Sequence, residues 1–372
     1  MPLTNQIFEK HIPPGLFEIV QKITEGIRIK TEEGLLLYEK APLSLLGLLA
    51  HDIRVKKNGQ ETYFLRNIHI EPTNICKHEC LFCSYNHRYA GFGWELTPEE
   101  ILGKIEKEAK NALEVHITGG VHPDRDIYYY ASMIKGIKNI RPDIHIKAFS
   151  AVELDDMITQ SGMNLADGLQ FLKDHGLDSI PGGGAEIFDS VLRKKICGDK
   201  STAERYLEIH TNAHQLGISS NATMLYGHFE NTEQRIHHLD LLRQTQDITG
   251  GFNAFIPLKF RNKNNKLSQL QETPLTDDIR IFAFSRIFLD NFKHIKAYWP
   301  MLGKSHTQML MNFGVDDIDG TIEDSTRIYS LAGSEEQNPS MQIEEFINFV
   351  RQAGFIPVER DSLYRKLKVY DE

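Results

Sequence analysis

The chain has 372 residues, 41% hydrophobic and 25% charged, a globular balance that excludes a disordered or collagen-like polymer and fits one large α/β domain. A net charge of −9, from 42 basic against 51 acidic residues, leaves no basic footprint for nucleic acid. No apolar run approaches the roughly 18 residues of a membrane span. The N-terminal MPLTNQIFEKHIPPG has neither the basic nor the apolar region of a secretion signal, so the expected location is the cytoplasm, where thiols stay reduced.

Residues 1–60 read as short helices (LFEIVQKI, LSLLGLLAHDI) that form an N-terminal helical cap. From about residue 62, strand and helix patterns alternate. TYFLRNIHIE reads as one strand running into a cysteine-bearing loop. TPEEILGKIEKEAKN then reads as a helix, with Ile101, Ile105 and Ala109 on one face. LEVHITGG, helical YYYASMIKGIKNI, strand IHIKAFSA, helical LADGLQFLKDHG and strand LDSIPGGGAE follow. Helices carrying VLRKKI and YLEIHTNAHQLG precede the strands ISSNATMLYGH, GFNAFIPLKF and HIKAYWPML; VDDIDGT reads as an eighth strand and MQIEEFINFVRQAGF as a closing helix. Such alternation predicts a parallel sheet, and seven or eight units predict a TIM-type (βα) barrel, full or nearly full. The expected division is a cap over 1–60, a barrel over 61–335 and a C-terminal helical extension over 336–372. A doubly wound open sheet is the structural alternative.

Several of these strands carry polar residues at period two: Asn67, His69 and Glu71; His116 and Thr118; His145 and Lys147; Asn253 and Lys259. The helix-facing side of a barrel strand must be apolar, so this set is expected to point inward and line a cavity. An antiparallel sheet with one wet face is the other reading, which the intervening helices oppose. The C-terminal strand ends, where barrel enzymes place their chemistry, carry the cysteines, Gly119-Gly120, Ser150, the run Pro181-Gly182-Gly183-Gly184-Ala185-Glu186, His228 and Lys259. Neither glycine run forms a dinucleotide or P-loop motif.

Three of the four cysteines fall in Cys76-x3-Cys80-x2-Cys83. Three thiolates on one short loop suit three irons of a [4Fe–4S] cubane and leave the fourth iron open. Zinc, with His78 or His87 as a further ligand, is the competing reading. A disulfide is disfavoured by the odd count and the reducing compartment. Cys197 reads as a structural thiol. An electron carrier that holds the cluster without chemistry is a different class of function; it predicts a closed fourth ligand, which the chain does not place nearby.

This cysteine loop closely resembles that of the radical S-adenosylmethionine enzymes, with Phe82 in the aromatic position before the third cysteine. EPTNICKHECLFCSY, ITGGVHPD, IKAFSAVE, SIPGGGAE, SNATMLYGH, GGFNAFIPLKF and DDIDGTIED together resemble the futalosine-pathway enzymes of menaquinone biosynthesis, over roughly residues 60–335. The resemblance implies a [4Fe–4S] cluster on Cys76, Cys80 and Cys83, and S-adenosylmethionine consumed as a co-substrate. It implies Phe82 near the adenine, Gly119 and Gly120 at the methionine amino group, Ser150 and Glu186 at the methionyl and ribose parts, and Arg205 at the methionine carboxylate. Within the group, Leu225-Tyr226-Gly227-His228 and Pro257-Leu258-Lys259 favour the branch that adds the adenosyl radical to 3-[(1-carboxyvinyl)oxy]benzoate. The alternative branch cyclises dehypoxanthine futalosine. The first substrate carries two carboxylates, which require buried cations or donors. Lys259, His228 and Arg88 form the expected substrate-binding pool, and His69, His116 and Glu71 are expected to orient the substrate or take a proton. Asp316, Asp317 and Asp319 read first as a helix or turn cap. The reductant partner implied is a protein such as flavodoxin or ferredoxin.

Overall fold

A computed structural model describes residues 12–321 and 327–371. Its strands are β1 (Glu61–Leu65), β2 (Asn67–Ile70), β3 (Glu114–Ile117), β4 (His145–Ala148), β5 (Ser179–Ile180), β6 (Ser219–Tyr226), β7 (Phe252–Lys259), β8 (His294–Ile295), β9 (Asp317–Gly320), β10 (Ile356–Arg360) and β11 (Lys366–Val369). Strands β2 to β8 are parallel and lie side by side in chain order, with helices between them, so the α/β barrel expectation holds. The remaining four strands form a second sheet in the order β11-β10-β1-β9.

The segment TYFLRNIHIE does not form one strand. It breaks at Arg66, with β1 pairing in parallel with β9 and β10 while β2 pairs with β3. Strand β9, read as the eighth strand, works at the seam between β8 and β2. Ala297 N donates to Asp317 O at 2.9 Å, while Thr321 N donates to Leu65 O at 3.1 Å and Asn67 N to Thr321 Oγ1 at 3.1 Å. Two other strands are shorter than their patterns. β5 stops before Pro181, which has no N–H, and Gly182 takes a φ of +89°. β8 gives way to a helical turn, Trp299–Leu302, with proline near its start.

The period-two pattern has the predicted sense. Ile68, Ile70, Val115, Ile117 and Ile146 are buried against the outer helices, while His69, His116 and Lys147 stand in register across β2, β3 and β4. The inward set fills the barrel centre with charge pairs instead of simply lining a cavity. Lys147 pairs with Glu114 at 2.6 Å, Lys296 with Asp319 at 2.8 Å, and Arg360 Nε with Asp317 at 2.6 Å. Asp316 binds Arg286 and, at 2.5 Å, His294. Asp316, Asp317 and Asp319 are therefore buried ion-pair partners first, because charges removed from water must be matched, and Asp317 alone also caps a turn, its Oδ1 accepting from Asp319 N at 2.8 Å.

The N-terminal helices Phe17–Thr24 and Leu43–Asn58 form as read, with a further helix, Thr31–Lys40, between them. They pack on the barrel's flank: Arg280 Nη1 donates to the carbonyls of Tyr38 and Ala41, and Arg235 Nη1 to the Tyr38 hydroxyl. The C-terminal extension is not wholly helical. Helix Ile343–Gln352 is followed by β10, whose Val358 is fully buried against β1, and then by the exposed edge strand β11. Among the described residues, no helix is long and apolar enough to cross a membrane.

Candidate active site

The cysteine loop leaves the C-terminal end of β2 and is built by local hydrogen bonds before any ligand is considered. Thr73 Oγ1 donates to Trp94 O at 2.7 Å and accepts from Ile75 N at 3.0 Å. Tyr85 hydroxyl and Gly120 N both donate to Thr73 O, at 3.0 and 2.8 Å. Asn86 Nδ2 holds His78 O at 2.7 Å, and Leu81 N reaches Ile196 O at 2.8 Å. The loop is thus tied to the β3 end and to helix Ser190–Cys197. A Cβ on Gly120 would collide with the carbonyl of Ile75, so only glycine allows this approach.

Cys76, Cys80 and Cys83 line one cavity of about 240 Å³ together with Phe82, Gly119, Gly120, Ser150 and Glu186. All three are free thiols. Burial pushes the Cys80 and Cys83 thiols up, Cys80 well above the usual range. Buried thiolates therefore need a compensating positive group, and soft thiolates on a loop with this fixed shape fit an iron–sulfur cluster. Among the described residues, no three His, Cys, Asp or Glu side chains converge on the single point one metal ion requires. The three thiols instead stand on the wall of one cavity. Val121 N donates to Cys76 Sγ at 3.4 Å, the kind of contact that tunes such a cluster.

Of the other expected residues, Lys259 also lines the cavity, while Arg205, Arg88, His228, Glu71, His69 and His116 do not. Arg205 turns to Asp155 at 2.7 Å and Glu208 at 2.8 Å. Arg88 sits on the outer side of the loop, paired with Glu79 at 2.8 Å. His228 is sealed behind the β6 end, with Nδ1 3.2 Å from Glu230 and Nε2 3.1 Å from Leu225 O. The Glu71 carboxylate accepts from the backbone N–H groups of Arg327 and Ile328, which anchors helix Arg327–Leu331. Ile328 and Tyr329 of that helix cover the cavity. Glu71 thus holds a covering element in place and does not face the cavity itself.

His69 and His116 lie beneath the cavity, their rings 4.5 Å apart, and connect to it through Tyr298 and the cavity-lining Tyr329. Burial pushes His69 down to about 4 and His116 well below the usual range, so both are neutral at physiological pH. His116 Nε2 has no partner among the described residues.

Two residues not singled out from the sequence, Lys200 and Arg261, complete the wall, and a third, Glu153, braces it from behind. Lys200, in the loop after Cys197, pairs with Glu186 at 2.7 Å and stands over the Phe82 ring at 5.5 Å. Burial opposes its charge, but Cys80 and Glu186 outweigh burial and hold it well above the ordinary lysine range. Glu153 receives Ser150 N at 2.7 Å, Ser150 Oγ at 2.6 Å, Gly119 N at 3.1 Å and Thr118 Oγ1 at 3.1 Å. Burial lifts its carboxyl to about 7 against the pull of these donors. It ties the β3 end to the β4 end and occupies the Ser150 hydroxyl. Arg261 lies just past β7; its position two residues after Lys259 continued the polar period and was the signal available for it. Glu186 has a φ of +50°, rare for a residue with a side chain, and such strain concentrates at functional sites.

The model of the radical SAM superfamily matches residues 70–242, and that of the CofH/MqnC C-terminal region matches residues 249–372. The aminodeoxyfutalosine synthase of Thermus thermophilus is 41% identical over 96% of this chain and 97% of its own. The cyclic dehypoxanthine futalosine synthase of Streptomyces coelicolor is 35% identical over 95% of this chain and 89% of its own. Among solved structures, methylornithine synthase superposes with a TM-score of 0.74 at 17% identity, over 91% of this chain and 97% of that one, which shows the fold. A cavity ringed by three cysteines at the strand ends of such a barrel, and full-length likeness to enzymes that share it, place the chain in the radical SAM superfamily, among the enzymes that carry the CofH/MqnC C-terminal region and work with a [4Fe–4S] cluster and S-adenosylmethionine.

Proposed function

We propose that this enzyme joins the 5′-deoxyadenosyl group of S-adenosylmethionine to 3-[(1-carboxyvinyl)oxy]benzoate, with rearrangement and decarboxylation, to give 6-amino-6-deoxyfutalosine and methionine for menaquinone biosynthesis. The observation that carries this reading is the 41% identity, over nearly the full length of both chains, to an aminodeoxyfutalosine synthase. When bound, the cluster and S-adenosylmethionine supply a primary carbon radical.

The protein's part is to hold, orient and exclude. Cys76, Cys80 and Cys83 hold the cluster. The backbone of Gly119 and Gly120, set close under the cysteine loop because neither carries a side chain, would receive the methionine amino group, and Phe82 would lie along the adenine. Glu186 faces the ribose. Lys200, already inside the cavity, takes the methionine carboxylate in place of Arg205, which is engaged with Asp155. The acceptor carbon has to lie within about 3–3.5 Å of C5′, since a primary radical attacks almost any C–H bond it meets. Tyr329 and Ile328 support that confinement by covering the cavity. His69 and His116, held neutral beneath the cavity, are the groups we assign to orient the substrate from below, through Tyr298 and Tyr329.

Residues 61–335 serve as the catalytic unit in this reading, with 1–60 and 336–372 as its buttresses. A flavodoxin or ferredoxin supplies electrons, and the setting is the cytoplasm. The test is mass spectrometry of an anaerobic turnover with dithionite and the enolpyruvyl benzoate. The expected product is the adenosyl–benzoate adduct; free 5′-deoxyadenosine without adduct would reject the reading in favour of the cyclase.

A further inference from the structure

Among the described residues, three permanent cations line the cavity, and each is matched to an acid. Lys200 lies 2.7 Å from Glu186, Lys259 lies 2.7 Å from Asp278, and Arg261 Nη1 lies 3.2 Å from Glu272. Lys259 is further engaged, since Nζ also donates to Thr273 O at 2.8 Å. Asp278, its partner, is fixed in turn by the hydroxyls of Tyr226 and Thr273, each at 2.9 Å. An incoming carboxylate would have to break that network to claim the ammonium.

Arg261 is different. Its Nη2 donates to Gly333 O at 3.0 Å, and its Nε is buried without an acceptor among the described residues. A guanidinium N–H left without an acceptor in a buried place is costly, and an oxygen supplied by a ligand removes the cost. Nε shares one edge of the guanidinium with Nη2, the edge that carboxylates approach with two oxygens. Glu272 and the Gly333 carbonyl hold the group in place, so little side-chain freedom remains to be lost on binding.

We infer that Arg261 is the receptor for the ring carboxylate of the acceptor, Nε donating to one carboxylate oxygen. This assignment rests on the reaction proposed above. In that reaction one of the two carboxylates leaves, and the ring carboxylate survives into the product. A fixed receptor suits the group that stays, because it anchors the ring while the rest of the molecule rearranges.

The test measures equilibrium binding of 3-[(1-carboxyvinyl)oxy]benzoate, without reductant, to the cluster-loaded enzyme and to Arg261→Gln and Arg261→Lys, with iron content as the folding control. The expected result is a Kd raised about 10–100-fold in Arg261→Gln and partly restored in Arg261→Lys. 2-Phenoxyacrylate, which lacks the ring carboxylate, should bind the parent enzyme more weakly by a similar factor, and Arg261→Gln should add nothing further. An unchanged Kd in Arg261→Gln, or an equal penalty on both compounds, overturns the assignment while leaving the reaction intact. A parent enzyme that binds the benzoate no better than 2-phenoxyacrylate and forms no adduct overturns the reaction reading, and the assignment falls with it.

Discussion

Lys200 and Arg205 sit five residues apart, and the difference between them is geometric. Both are long, cationic and near the start of the same helix, Ala203–Gln215, so nothing in their spacing separates them. In the folded protein Lys200 reaches the cavity through the gap between Phe82 and Glu186, whereas Arg205 is drawn to Asp155 on the neighbouring helix. Lys200→Ala should therefore weaken S-adenosylmethionine binding by about 10–100-fold, the worth of one charged hydrogen bond, with Arg205→Ala staying within a few fold. Equilibrium binding to the cluster-loaded protein checks both, and the reverse order would return the carboxylate to Arg205. Cysteine spacing was legible at this scale because a cubane constrains ligand positions along the chain. Glu153, Lys200 and Arg261 were not, because their roles depend on which strand end lies beside which.

At the scale of elements, helix Arg327–Leu331 owes its position to an acid more than 250 residues away. Its first amide groups donate to the Glu71 carboxylate, and Asn264 Nδ2 and Arg261 Nη2 hold Leu331 O and Gly333 O at its far end. Loss of such a cap costs a helix end about 0.5–2 kcal/mol. Glu71→Ala should loosen the cover without touching the cysteines, so iron content stays normal while the ratio of free 5′-deoxyadenosine to adduct rises. Glu71→Gln, with one acceptor oxygen left, should fall between. A ratio that does not move in either variant would mean that this helix does not protect the reaction. Strand polarity was readable as a period, but its meaning was not: a polar residue facing inward looks the same in sequence whether it ends on the cavity wall, like Lys259, or is sealed in the barrel centre, like Lys147. Similarly, TYFLRNIHIE is a continuous apolar–polar pattern, and only the pairing of β1 with β9 and β10 shows where it breaks.

For the molecule as a whole, buried histidines set a pH limit. Burial holds His69 and His214 down to about 4 and His238 down to about 3, below the ordinary histidine value of 6.5. These neutral histidines favour the fold fully above pH 6.5. As pH falls, the unfolded chain takes up protons there that the folded chain does not accept until about 4, so stability is lost progressively over that window. Denaturant midpoints measured at pH 7.5, 6 and 5 should decline in that order, and His238→Gln should flatten part of the slope; a level series would contradict the burial of these rings. The parallel sheet and its helices were visible from alternation alone, since each βα unit is local. The β1–β9–β10 sheet was hidden because its pairings are remote, with Glu61 set against Ile356. That remoteness shapes how the polypeptide matures. The cysteine loop is synthesised long before the segment that stitches the seam, and its thiols stay unprotected while the ribosome works through more than two hundred further codons. Metal loading that precedes the final stitch would land on an unfinished, oxygen-exposed scaffold, so assembly has reason to wait for the last strands to dock.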